Sequence, residues 1–165
     1  MPSIRFATDA DVPVILRFIR ALAAYEKLSH DCVATEESLR ATLFGDRPYA
    51  EVLLIEDDGA AHGFALFFHN YSTFLAKPGI YLEDLFVDPA QRGKGYGKAL
   101  LAKLAEIAVA RGCGRLEWSV LDWNQPSIDF YLSLGARPMD EWTIYRLDGD
   151  ALEALGGVRP PPSAR

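Results

Sequence analysis

The chain is poor in the residues that metal, redox and membrane chemistry need. Its 165 residues include only two cysteines, Cys32 and Cys113, far apart and in no CxxC pair. The three histidines, His30, His62 and His69, are scattered without ligand or base spacing. No metal site is expected, and the cysteines read as free thiols in a reducing compartment. Cys113 has no evident base nearby in sequence, which argues against a covalent intermediate on its thiol. No apolar run approaches the ~20 residues of a membrane span. The opening MPSIRFATDAD carries acids where a signal peptide has its apolar core. Positive charge is also scarce: 17 Lys and Arg face 23 Asp and Glu, a net charge of -6. That balance argues against a nucleic-acid partner and mildly favours a cationic small substrate. A cytoplasmic protein with no membrane partner is expected.

What is present is an alternation of helical and strand patterns. SIRFA is a short strand candidate, followed by an amphipathic helix capped at Thr8 or Asp9, with Val12, Ile15, Leu16, Ile19, Leu22 and Ala23 on one stripe. A second helix is capped by Thr35 and stopped by Gly45. Residues 49–71 suggest two strands joined at Asp57-Asp58-Gly59, a strong hairpin signal. A loop with Lys77-Pro78-Gly79 precedes the strand IYLEDLFVD. A helix then runs from about Gly95 to Arg111, ended by Gly112 and Gly114. RLEWSVLD, NQPSIDFYLSLG and WTIYRLD complete a strand, short helix and strand. This order predicts a mixed α/β domain over 1–155, with helices on both faces of its sheet. The Pro/Gly stretch 156–165 is expected to be a disordered tail.

The stretch QRGKGYGKALL places Gly93, Gly95 and Gly97 among Arg92, Lys94 and Lys98, at the start of a helix. A P-loop would need glycine at position 92 and Ser or Thr at 99, where Arg92 and Ala99 stand. The dinucleotide fingerprint fails because Lys98 or Leu100 stands where its third glycine belongs. What remains is a turn whose backbone N–H groups can surround an anion at a helix N-terminus. The alternative is a connector with solvated basic residues.

RGKGYG fits the R-x-x-G-x-G signature of the GCN5-related N-acetyltransferase (GNAT) superfamily. With ALAAYEK, YLEDLFV and DWNQPSIDFYLSLGA, the chain from Ile4 to about Leu155 resembles its diamine (spermidine/spermine) acetyltransferase branch. The resemblance implies a mostly antiparallel sheet of about six to seven strands, with two parallel strands splayed at a cofactor cleft. It implies acetyl-CoA as donor, its pyrophosphate held by the backbone of Gly93, Lys94, Gly95, Tyr96, Gly97 and Lys98 beside Arg92. Backbone groups of Leu85, Phe86 and Val87 would hold the pantetheine arm as an added strand would be held, with Asn124 and Ser127 also at the cofactor. A homodimer is implied too.

Acetylating an amine requires a proton acceptor for an ammonium of pKa near ~10.4 and a proton donor for the departing thiolate. Spacing alone favours a tyrosine packed on the sheet at Tyr131, and the resemblance reverses this, matching Tyr131 to the family's general acid. Asn124 equally suits an N-cap. Glu83 matches the carboxylate that relays the amine proton, and Asp84 an acidic wall of the pocket. Strand alternation sends these two neighbours to opposite faces unless a bulge intervenes, and an edge strand with solvated acids fits the same residues. Tyr25 and Glu26, with Glu141 and Trp142, complete the substrate pocket in the resemblance; a helix end and ordinary core are the alternatives. Where polyamine-acetylating relatives tend to carry an acid and a tryptophan, this chain has Ser72 and Phe74. A diamine, a polyamine or a lysine-like amino acid such as thialysine all remain compatible acceptors. A peptide acetyltransferase and a non-catalytic acyl-CoA sensor are the rival readings.

Overall fold

The computed structural model describes residues 1–158, so most of the tail expected at 156–165 lies outside the described residues. The chain divides into two compact units, Met1–Asp122 and a second beginning at Trp123. The first holds a five-stranded sheet in the order β1 (Ser3–Phe6), β2 (Glu51–Asp57), β3 (Ala60–Ser72), β4 (Lys77–Val87) and β5 (Leu116–Trp118). The first four strands pair antiparallel and β4 pairs β5 in parallel. Parallel neighbours need a crossover, here α3 (Tyr96–Ala110).

The sheet is buried on both faces because its strands are apolar at consecutive positions. Leu53, Leu54 and Ile55 of β2 are all fully buried, as alternation demands of a strand covered on both sides. On one face α1 (Val12–Tyr25) packs with α2 (Glu36–Leu43). There Val12, Ile15, Leu16 and Phe18 meet Leu54, Phe64 and Phe86. Phe18 stacks on Phe64 at 5.5 Å between ring centroids. The other face takes α3, whose buried stripe includes Leu100, Leu101, Leu104 and Ile107. The second unit carries α4 (Gln125–Ser133) and α5 (Gly149–Leu155).

Several expectations are corrected. Lys77-Pro78-Gly79 is not loop but the start of β4, paired with Ser72, Tyr71 and Asn70. Pro78 is tolerated because the pairing with β5 begins only at Ile80, so its missing N–H faces no ladder. The strand expected at 115–122 shrinks to three residues, because β4 bends at a bulge just where that ladder would continue. The strand expected at 142–148 does not form: among the described residues no partner extends a ladder to it, and Ile144 and Tyr145 stay 77% and 92% exposed. Among the described residues the sheet therefore has five strands rather than six or seven. Thr8 caps a single 3-10 turn ahead of α1 rather than α1 itself.

Candidate active site

The glycine turn begins where β4 ends. Pro89–Gln91 forms one 3-10 turn, Arg92 is extended, and Gly93 and Gly95 adopt φ of 84° and 82°. An L-residue pays a steric penalty in that region, so glycine is required by conformation. A Cβ at either position would meet no protein atom within 4 Å; the space above the turn is open. Gly95 caps α3 without a side chain, and the first helical bond is Ala99 N–H to the Gly95 carbonyl at 2.9 Å. Among the described residues, the amides from Gly93 to Lys98 donate no backbone hydrogen bond. Unpaired amides at a helix N-terminus, alternating with left-handed residues, form an anion cradle.

Two side chains of the turn look elsewhere. Arg92 folds back, its Nε donating to the Val87 carbonyl at 3.4 Å and its guanidinium lying 4.9 Å above the Tyr25 ring and 5.9 Å from that of Phe86. Tyr96 is buried, and its hydroxyl donates to Asp57 Oδ2 at 2.6 Å. Only the Tyr96 amide faces the turn. Lys94 Nζ reaches Gln91 Oε1 at 2.6 Å, while Lys98 is exposed.

Upstream on β4, the register against β3 pairs Leu66 with Asp84 and Phe67 with Leu82. Glu83 is therefore the extra residue of a β-bulge, lifted out of the ladder and exposed. The bulge also ends the pairing with β5, which stops at Leu82 and Trp118. Among the described residues, no strand pairs with the β5 side of β4 from Glu83 to Val87, which leaves an open edge where the parallel strands splay. Beside it lies an acidic cluster. Burial, then the charges of Glu83 and Glu26, push the Asp84 carboxyl from its ordinary 3.8 up to about 7. Burial and Glu83 also raise Glu26. Glu26 sits at the end of α1, where the Lys27 and Leu28 amides close onto the Ala24 and Ala23 carbonyls. That closure puts Lys27 at φ 61°, a position glycine usually fills.

In the second unit, Asn124 caps α4 by accepting from the Ser127 amide at 3.4 Å. Tyr131, two turns along that helix, is half-buried against Phe130 at 5.7 Å. Glu141 and Trp142 are exposed in irregular chain. Among the described residues, no group of three or more His, Cys, Asp or Glu is placed to hold a metal ion.

A family model described as "Acetyltransferase (GNAT) family" matches residues 19–136. The chain belongs to the GNAT acetyltransferase family. It is an acyltransferase, and its curated relatives act on amines. A thialysine N-epsilon-acetyltransferase of Sus scrofa is 40% identical, aligned over 93% of this chain and 96% of its own. An L-ornithine N5-acetyltransferase of Arabidopsis thaliana is also 40% identical, over 92% and 86%. Among solved structures, an integron cassette protein from the mobile metagenome of V. cholerae superposes with a TM-score of 0.79 at 28% identity, covering 94% of this chain and 97% of its own. The diamine-branch resemblance stands on such relatives.

In this GNAT acetyltransferase the structure brings Tyr25 against Arg92, and Glu26 within electrostatic reach of Glu83 and Asp84. Leu85, Phe86 and Val87 lie on the open edge leading into the glycine turn. Asn124, Ser127 and Tyr131 share α4. Ser72 is buried in the β3–β4 turn, accepting from the Leu75 amide at 3.2 Å, and Phe74 is fully exposed. Sequence reasoning missed the side-chain roles of Arg92, Tyr96, Asp57 and His62. Arg92 meets Tyr25 and Phe86, while Tyr96 meets Asp57 and His62; these contacts join residues far apart in sequence and leave no local signal.

Proposed function

We propose that this enzyme transfers an acetyl group from acetyl-CoA to a primary amine of a small cationic acceptor: a diamine, a polyamine or a lysine-like amino acid. The acidic cluster beside the open edge of β4 carries this reading. Burial of Asp84 first, and repulsion from Glu83 and Glu26 after it, let Asp84 hold a proton near neutral pH. A cation entering among them relieves that repulsion, so the pocket favours ammonium groups. Acetyl-CoA fits the rest: unpaired amides from Gly93 to Lys98 suit its pyrophosphate, and free backbone groups of Leu85, Phe86 and Val87 suit its pantetheine amides.

The donor supplies an activated thioester; the chain supplies positioning and protons. Glu83, exposed at the bulge, takes the amine proton directly or through water, while Asp84, Glu26 and Tyr25 hold the acceptor. Glu141 and Trp142 are assigned to the acceptor's far end on the branch resemblance alone. Backbone N–H groups of the open edge polarise the acetyl carbonyl. Tyr131 returns a proton to the departing sulfur, a role resting on the family resemblance around α4. The branch resemblance supports a homodimer, and two free cysteines suit a reducing, cytoplasmic location.

The test is an amine panel with acetyl-CoA, reading thiol release and product mass. Small diamines, polyamines and basic amino acids should turn over, and Tyr131→Phe and Glu83→Gln should each lower kcat roughly 100-fold or more. Preference for peptides would reassign the acceptor, and acetyl-CoA binding without thiol release would leave a sensor.

A further inference from the structure

The glycine turn has a mechanical weakness. Gly93 and Gly95 touch nothing through side chains, and above Gly97 only a Val87 methyl comes as close as 4.0 Å. The amides that would face an anion are therefore only as well placed as the first turn of α3. Tyr96, the first residue of that helix, is the buried side chain of the turn. Its hydroxyl donates to Asp57 at 2.6 Å, and its ring lies 6.2 Å from that of His62 at an interplanar angle of 23°.

Three features of the β2–β3 hairpin converge on this contact. Asp58 and Gly59 take φ of 50° and 76°, a two-residue turn that sets Asp57 at its rim. Asp57 Oδ1 accepts from the Asp58 amide at 3.1 Å and lies 3.6 Å from the chain's terminal ammonium, which leaves Oδ2 for Tyr96. The register passes from Ile55–Gly63 to Glu56–Ala61, making His62 the extra residue of a second bulge. The freed imidazole reaches the Asp57 carbonyl oxygen with Nε2 at 3.1 Å. A phenylalanine would fill the space of Tyr96 equally well; only the hydroxyl needs the carboxylate.

We propose that Tyr96, Asp57 and His62 form a clamp that positions the amides of α3's first turn for the acyl donor, so that donor affinity is set partly from the far hairpin. This rests on the reading that the turn holds the acetyl-CoA pyrophosphate. The three are positioning residues, acting through the Tyr96, Gly97 and Lys98 amides.

The test is calorimetric Kd for acetyl-CoA, with kcat at saturating acetyl-CoA and circular dichroism as companions. Tyr96→Phe should weaken acetyl-CoA about 10-fold, with the loss in Kd rather than in kcat at saturation. Asp57→Ala should match it, and the double variant should be no worse than either single one. Asp57→Asn keeps an acceptor oxygen and should recover most of the affinity, a rescue that a purely structural role does not predict. If Tyr96→Phe loses its fold, the Asp57 pair carries the same test from a surface hairpin. Wild-type affinity in Tyr96→Phe and Asp57→Ala overturns the clamp alone. A wild-type protein that does not bind acetyl-CoA overturns the reading of the turn, and the clamp with it.

Discussion

Asp84 shows how one residue can report its surroundings. Its folded proton affinity lies near 7 against 3.8 for an ordinary aspartate, raised by burial first and by Glu83 and Glu26 after it. The folded state thus binds the proton more tightly than the unfolded chain. The stability this gives is full below pH 4 and lost as pH rises towards 7 and beyond. Asp84→Asn, neutral throughout, should flatten the decline of Tm between pH 4 and 8 and gain up to about 4 kcal/mol at its alkaline end. In activity the sign reverses. In the proposed function ionised Asp84 is the form that attracts a cationic acceptor, so kcat/KM for the amine should climb as pH rises through 7. Asp84→Asn should start lower and lose that part of the climb. Little of this is legible in sequence. Glu83-Asp84 stands out as two acids in an apolar strand, but their proximity to Glu26 needs the fold.

At the scale of elements, β4 does most of the work. Its bulge exposes Glu83, its bend ends the ladder with β5, and its C-terminal edge runs straight into the glycine turn. It depends in turn on close approach of β3 at Gly63. A Cβ there would lie 2.6 Å from the Phe86 carbonyl oxygen and 3.2 Å from methyls of Ile55 and Val87. Gly63→Ala must push β3 and β4 apart, and should cost roughly 1–3 kcal/mol in denaturant unfolding. Acetyl-CoA affinity should fall with it, because the displaced strand carries the open edge. The glycines that end helices are plain in the sequence: Gly112 and Gly135 take φ of 71° and 87° and close α3 and α4. The end of α1 is not, because Lys27 occupies that position. The segment 142–148 shows the converse failure. Its Trp, Thr, Ile and Tyr suit a strand, but a strand exists only with a partner, and pairing is not a local property.

For the whole molecule, what matters is which state a ligand selects. The glycine turn is shaped by the end of β4 and the start of α3, so a donor held there as proposed should bind the folded chain and not the unfolded one. At 100 times its Kd that linkage adds about 2.7 kcal/mol. For a chain of 165 residues, each 1 kcal/mol moves Tm by roughly 2–4 °C, so acetyl-CoA should raise Tm by roughly 5–10 °C. Gly95→Ala separates folding from the cradle. Its Cβ meets no protein atom, but the backbone must hold φ near 82°, which costs about 1–2 kcal/mol for an L-residue. The unliganded variant should therefore melt a few degrees lower and still cooperatively. On the proposed reading of the turn, its response to the same acetyl-CoA concentration should nearly vanish, because the methyl would project into the space proposed for the pyrophosphate. A full shift in Gly95→Ala, measured by differential scanning calorimetry, would place the donor somewhere other than this turn.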